Sequence, residues 1–266
     1  MIRYPDISPT LFEFGPFKIR WYGLMYVLGF LSAYFLIPRQ TRARRLGLQG
    51  KALQDFLSYL AVGLIVGARL GYVLFYQYPN LGDYLRHPLE IIAIWHGGMS
   101  FHGGLLGALL AGMLFSRNRG LSFWDLADAA ILPAPIGLGL GRLGNFINGE
   151  LFGRPTDVPW AMVFPGGGPV PRHPSQLYEA FLEGLVLFFF LWFIRNRPFR
   201  PGSLVCLFFG GYGVLRFFVE FFRAPDPQIG LFWHLISMGQ ILSAGMILSA
   251  FFLWFLLPGK DGKGGS

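Results

Sequence analysis

Apolar residues run in seven stretches of spanning length or close to it, at about 20–38, 56–76, 99–115, 122–141, 177–194, 203–222 and 235–257. A bilayer core is about 30 Å thick and takes roughly 20 residues of helix to cross, so the pattern predicts seven transmembrane helices. The third and fourth are short and rich in glycine or proline, and Pro133 and Pro135 predict a kink in the fourth. The connecting loops alternate in charge. Arg39, Arg42, Arg44, Arg45 and Lys51 follow the first stretch, Arg117 and Arg119 the third, Arg195, Arg197 and Arg200 the fifth, Lys260 and Lys263 the seventh. Basic loops stay cytoplasmic, which predicts an N-terminus outside and a C-terminus inside. The first apolar run has no small-x-small cleavage pattern and is expected to remain as a span. With no internal repeat and no long linker, residues 1–266 read as a single all-α polytopic membrane domain. Residues 1–18, 78–95 and 142–172 would form a small outer-face cap, with 2–17 lying in the interface and the tail from Gly259 frayed.

Composition agrees with a lipid surround: 53% of residues are hydrophobic and 14% charged, and the 29 phenylalanines exceed what a soluble core of this length would bury. A net charge of +8 raises the question of nucleic acid, but no basic stripe or aromatic platform accompanies it, so nucleic acid is not an expected partner. The single cysteine, Cys206, lies in an apolar run and excludes an internal disulfide or a thiolate metal cluster. His96 and His102 are six apart with no glutamate between them, which is not a zinc spacing, so no metal is expected. Neither a Gly-x-Ser-x-Gly elbow nor a phosphate-binding Walker loop is present.

The chemistry is concentrated in a few polar stretches. Arg142-Leu-Gly-Asn-Phe-Ile-Asn-Gly-Glu-Leu-Phe-Gly-Arg-Pro155 sets charge and amide groups among glycines, next to a run that could cross the membrane. An ionisable side chain at a bilayer centre costs roughly 2.5–3.5 kcal/mol, so these residues need polar partners, water or a charged ligand. The stretch reads as a glycine-punctuated loop able to approach a phosphate, with arginine supplying fixed charge. Tyr212, Arg216, Glu220 and Arg223 fall at spacings of four, four and three, on one helical stripe. Arg216 and Glu220 could simply neutralise each other, and Arg223 reads as an interfacial anchor that snorkels. Arg69 is likewise expected to reach the headgroups. Glu179 and Glu183 share a helical face and could accept from the arginines, while Asp125 and Asp128 suit the start of the fourth helix. A lone histidine is usually a packing residue; the glycines flanking His102 shift the balance towards a functional one. Together these residues describe an outward-facing, positively lined cavity with a histidine able to move a proton. An anionic lipid is the natural occupant.

At these residues the chain resembles the prolipoprotein diacylglyceryl transferase family. The resemblance is carried by Arg142–Arg154, by Trp21-Tyr-Gly-Leu-Met-Tyr26 and by Gly97-Gly-Met-Ser-Phe-His-Gly-Gly104. Arg172-His-Pro-Ser-Gln-Leu-Tyr-Glu179 and Gly211–Arg223 carry it further, from the first span into the last. It implies a bacterial inner-membrane enzyme, active at the periplasmic leaflet, that takes phosphatidylglycerol and prolipoprotein signal peptides. The diacylglyceryl group would pass to the lipobox cysteine thiol as a thioether, releasing glycerol 1-phosphate, with no cofactor. Essential positions would fall on Tyr22, His102, Arg142, Asn145, Gly153, Tyr212 and Arg216, supported by Glu150, His173 and Glu220. On that basis Arg142 and Arg216 would hold the phosphate, His102 would take the thiol proton, and Asn145 and Tyr22 would orient the headgroup. Glu150 and Glu220 would fix the arginines. The competing reading is a transporter or carrier that binds an anionic lipid in the same basic cavity without chemistry.

Overall fold

The computed structural model describes residues 2–257 and Gly259, apart from 6, 16, 45, 226–229, 233 and 234, and apart from the side chains of 17, 96, 101 and 231. The tail expected to fray lies outside the described residues from position 260 onward. The chain divides into two compact units, Met1–Gln40 with Asp128–Ser266, and Thr41–Ala127.

Helices dominate. A hairpin of β1 (Thr10–Phe14) and β2 (Phe17–Arg20) precedes α1 (Trp21–Ala43) and α2 (Lys51–Gly71). Short helices α3 (Leu81–Arg86) and α4 (Leu89–Ile92) lead to α5 (Phe101–Arg119), α6 (Phe123–Ile131) and α7 (Ala134–Ile147). Then come α8 (Ser175–Glu179), α9 (Leu187–Ile194) and α10 (Ser203–Val219), a small pairing of β3 (Leu231–Phe232) with β4 (Ile236–Ser237), and α11 (Met238–Leu256). Among the described residues, five helical stretches are long and apolar enough to cross a membrane: Trp21–Ala43, Lys51–Tyr76, Phe123–Ile147, Ser175–Ile194 and Met238–Leu256. Ser203–Val219 is apolar but shorter. Phenylalanines stand bare on these helices, Phe35 at 57%, Phe193 at 77% and Phe252 at 62% exposure, a surface that lipid tolerates and water does not.

In the first unit, Leu132, Leu187, Leu191 and Phe208 form the apolar centre between α7, α9 and α10. The predicted kink is a break: α6 ends at Ile131, Pro133 stands at the N-cap of α7, and Pro135 lies in its first turn, where a missing N–H costs nothing. Asp128 is structural, as expected, but it serves another helix. Its carboxylate accepts from the Gly202 and Val205 amides, at 2.9 and 3.0 Å, and so caps the start of α10. The cap segments of this unit knit together through Ile2 N–H to the Ala161 carbonyl and the Tyr4 hydroxyl to the Phe146 carbonyl, at 3.0 and 2.6 Å.

In the second unit, α2 and α5 meet along a seam of Gly63, Gly67 and Gly71 against Gly103, Gly107 and Ala111. A Cβ on Gly71 would sit 2.7 Å from the Gly103 Cα, so the backbones approach as only glycine permits. Arg69 does not reach headgroups. It is 5% exposed and donates to four backbone carbonyls, those of Ile91 (3.0 Å), Gly97 (2.5 Å), Gly98 (3.1 Å) and Glu90 (2.6 Å). Helix α4 and the loop before α5 wrap around the guanidinium, which satisfies the buried charge with backbone dipoles instead of lipid phosphate. Asp125 pairs with Arg44 at 2.9 Å in the same unit.

Candidate functional site

The stretch read as a loop from Arg142 is helical through Ile147, so Arg142 and Asn145 project from α7, and the chain turns only after it. Glycine belongs in this helix for packing: a Cβ on Gly144 would lie 2.8 Å from the Tyr22 ring, which seats Tyr22 of α1 against α7. The turn that follows bends through Leu151 at positive φ, a strained position for a side chain. Two buried side chains of α8 hold it there. Gln176 donates to the Glu150 carbonyl at 2.6 Å, and the Ser175 hydroxyl to that of Leu151 at 3.2 Å.

Gly153 then threads between two neighbours. Its N–H donates to the His173 carbonyl at 2.8 Å, and the next amide, Arg154, donates to Phe222 at 2.8 Å. A Cβ at this position would be 2.5 Å from the Phe222 carbonyl and 2.6 Å from the His173 Cβ. Glycine is required by that double contact. Its N–H is already taken by backbone and does not point at a ligand, contrary to the expectation for a phosphate loop.

Glu179 is the centre of the charged cluster. Its side chain is fully buried, and three guanidinium groups converge on it. Arg142 Nε lies 2.6 Å from Oε2, Arg216 Nη1 3.4 Å from the same oxygen, and Arg223 Nη1 donates to Oε1 at 3.2 Å. Glu183, also fully buried, stands 3.8 Å from Arg216 and 4.0 Å from Arg142. Directly after Glu179 the helix widens into a π-helical stretch, Ala180–Val186, which carries Glu183, a geometry that recurs at functional sites. Arg216 also pairs with Glu220 at 2.8 Å, so the suspected i,i+4 pair exists, but it is one edge of a larger array. Gly239 of α11 leaves room for the Glu220 carboxylate, which a Cβ there would strike at 2.5 Å. Arg223 is no snorkelling anchor. It is drawn inward by Glu179, with a side chain 11% exposed, and its carbonyl accepts from Arg154 Nε at 2.9 Å.

The arginines differ in openness. Arg142 is the most exposed, and it touches Glu179 through Nε, leaving its terminal nitrogens without a partner among the described residues. Around it, Glu150 accepts from Asn145 and Asn148, at 2.9 and 3.1 Å, and so fixes amides instead of the arginine it was expected to hold. Tyr212 stands one turn before Arg216 on α10 and stacks on Phe208 with ring centroids 6.0 Å apart. His173 lies 3.1 Å from the Tyr178 hydroxyl through Nδ1 and packs edge-on to Phe222, and burial pushes its pKa below the usual 6.5.

The first unit therefore brings together Tyr22, Arg142, Asn145, Glu150, Gly153, His173, Tyr212, Arg216 and Glu220. His102 belongs to the second unit, as the second residue of α5, where its side chain is exposed and Ser100 caps the helix by accepting from the Gly103 amide at 3.2 Å. The sequence reading missed the rank of Glu179. Two carboxylates one turn apart in an apolar helix were the available signal, since such groups demand cations.

A shared carboxylate holding several arginines, with one guanidinium fork left open, can receive a phosphate in a fixed geometry. Comparison with known proteins gives the arrangement its lineage. The model of the prolipoprotein diacylglyceryl transferase family matches residues 9–256. The chain is 55% identical over 247 residues to the phosphatidylglycerol–prolipoprotein diacylglyceryl transferase of Geobacter sulfurreducens, covering 93% of this chain and 94% of that one. It is 50% identical to the enzyme of that name from Desulfotalea psychrophila (94% and 93% covered) and 51% identical to that from Bordetella avium (99% of each). Matched over nearly its whole length, this chain belongs to the prolipoprotein diacylglyceryl transferase family.

Proposed function

We propose that this protein transfers the diacylglyceryl group of phosphatidylglycerol to the cysteine thiol of a prolipoprotein lipobox, forming a thioether and releasing glycerol 1-phosphate. The observation that carries the reading is the Glu179-anchored array of Arg142, Arg216 and Arg223 within an apolar helical body. Membership of a family named for this transfer supports it. The bond broken joins a glycerol carbon to a phosphate oxygen. The phosphodiester leaves as a monoester, so negative charge grows on the phosphate as sulfur arrives. Arg142, with its open fork, and Arg216 are assigned to that phosphate, where preset cations act without reorganising. Glu220 holds Arg216 and Glu179 holds both, while Asn145, fixed by Glu150, and Tyr22 orient the headgroup. Gly153, His173 and Tyr212 shape the wall beside them.

A free thiol has a pKa near 8.5 and is only a few per cent ionised at neutral pH, so the nucleophile needs a base. His102 is assigned that proton. His102→Gln is expected to cut transfer about 10²–10⁴-fold while phosphatidylglycerol still binds. Residual activity above about a tenth of wild type lies outside that range and would demote His102 to a positioning role.

The chain would act as one polytopic domain of the bacterial inner membrane, with seven spans, its N-terminus outside and its site towards the periplasmic leaflet. Cysteines placed at Asn118 and Asp157 should be protected from and open to external reagents, respectively; the reverse pattern overturns the orientation. The defining assay combines purified protein, phosphatidylglycerol and a lipobox peptide, without added metal or nucleotide. A diacylglyceryl mass on the peptide is expected. Lipid binding with no covalent product would turn the reading to a carrier.

A further inference from the structure

The β1–β2 hairpin stands outside the charged cluster, and its two faces differ in chemistry. Side chains alternate along a strand, and Phe12 pairs with Ile19 across the register while Glu13 pairs with Lys18. Phe12, Phe14 and Ile19 therefore share one face, and Glu13, Lys18 and Arg20 the other. The apolar trio is 59%, 75% and 54% exposed. Nothing in the first unit covers it among the described residues. On the opposite face Lys18 is half-neutralised by Glu13 at 3.1 Å, whereas Arg20 pairs with no carboxylate among the described residues.

Position decides what such a hairpin can meet. β2 ends at Arg20, and α1, long and apolar enough to cross a membrane, begins at Trp21 with no residue between. The hairpin must then lie where α1 leaves the hydrocarbon. A two-stranded hairpin has unpaired edge amides and carbonyls, which the headgroup layer can satisfy and the hydrocarbon core cannot. The base of β2 borders an open cavity of about 580 Å³, lined by Lys18, Ile19, Arg20, Tyr22 and Asn148, to which the basic face contributes Lys18 and Arg20. Asn148 shares Glu150 with Asn145, and Tyr22 packs on α7 two residues from Arg142. The cavity thus adjoins the proposed headgroup site.

We propose that this hairpin is a lipid-docking element. Phe12, Phe14 and Ile19 enter the boundary between headgroups and acyl chains, and the Lys18–Arg20 face collects the phosphate of an anionic phospholipid from that surface, beside Tyr22. Apolar residues give insertion depth, and the basic residues give preference for anionic lipid. The inference rests on the reading of the site as one for phosphatidylglycerol, and it adds the surface through which that lipid is gathered.

Two measurements on the full chain in vesicles test it. The first needs no turnover. Phe14→Cys is labelled with an environment-sensitive fluorophore; Cys206 is buried and stays unlabelled. Blue-shifted emission, quenched by lipids that carry a shallow spin label, is expected, and water-like, unquenched emission would overturn the docking. The second follows transfer as the mole fraction of phosphatidylglycerol rises in neutral-lipid vesicles. Arg20→Gln should raise the half-saturating fraction about five-fold, the factor that roughly 1 kcal/mol per basic residue near an anionic surface represents, with the maximal rate kept. Lys18→Gln, already paired with Glu13, should raise it less. Unchanged half-saturation, or a fall in maximal rate alone, removes the cavity from the lipid path. Competition by free glycerol phosphate that depends on Arg20 would assign the cavity to a soluble anion and overturn the proposal. If wild-type protein transfers nothing, the proposed function fails, while the fluorophore still decides the hairpin.

Discussion

Arg69 and Arg142 are both arginines inside apolar helices, and the protein satisfies them in opposite ways. Arg69 is enclosed by four carbonyls of α4 and the loop before α5, and each of its three nitrogens donates within the second unit. Arg142 is balanced from beneath by a fully buried carboxylate and keeps its terminal nitrogens open. A guanidinium filled by backbone dipoles is a strut that fixes a loop. One neutralised at Nε alone can accept a second anion without leaving a bare charge behind. The partner set, more than the residue type or its burial, separates structure from recognition.

The largest effect should come from the group that makes this difference. Glu179→Ala leaves three arginines without their shared partner, and breaking a buried pair costs about 3–5 kcal/mol, with transfer lost as well. Glu179→Gln sharpens the test, since it keeps shape and acceptor but not charge. Thermal unfolding in detergent should place it between wild type and Ala, with transfer still lost. Near-normal turnover in Glu179→Gln would mean that the array need not be charge-balanced, and the contrast with Arg69 would fall.

A paired substitution comes next. Lysine keeps the charge but not the planar fork. Arg142→Lys is expected to cost about 10²–10³-fold in transfer, the scale of losing one preorganised donor, with the unfolding midpoint little changed. Arg69→Lys should behave in reverse, lowering the midpoint because a lysine cannot serve four carbonyls, with turnover per folded molecule largely retained. The same loss of activity at both positions would erase the distinction.

Legibility in the sequence followed the range of the interactions. The apolar spans were visible because lipid imposes their length and composition, and α1, α2 and α11 lie close to where the pattern put them. The resemblance marked Arg142, Arg216 and Gly153. What the sequence hid was which partners they meet. Gly144 and Gly149 read as loop punctuation, whereas Gly144 sits inside a helix to admit the Tyr22 ring. The cage around Arg69 is made of carbonyls some 20–30 residues away, which every residue possesses and no pattern marks. Arg223 was misread for a related reason: its place near a helix end suggested lipid, but Glu179, 44 positions earlier, lies within 3.2 Å.

The smallest expected effect concerns His173, which abuts Gly153 and lines the wall of the open-arginine region. Burial lowers its pKa below 6.5, so the folded protein favours the neutral ring, and the unfolded chain binds the proton first as pH falls. Stability should therefore be full above the ordinary histidine range. It should decline as pH drops through 6.5 and level off once the pH is below the folded pKa. His173→Asn cannot titrate there, so its unfolding midpoint in detergent should vary less over that window than wild type does. An identical slope in the two proteins would assign the decline to other groups. Neutral His173 can also accept from the Tyr178 hydroxyl at Nδ1, and protonation removes that acceptor. The acid-side loss should accordingly be absent in wild type only if the ring is solvated as in the unfolded chain, which its contact with Phe222 argues against.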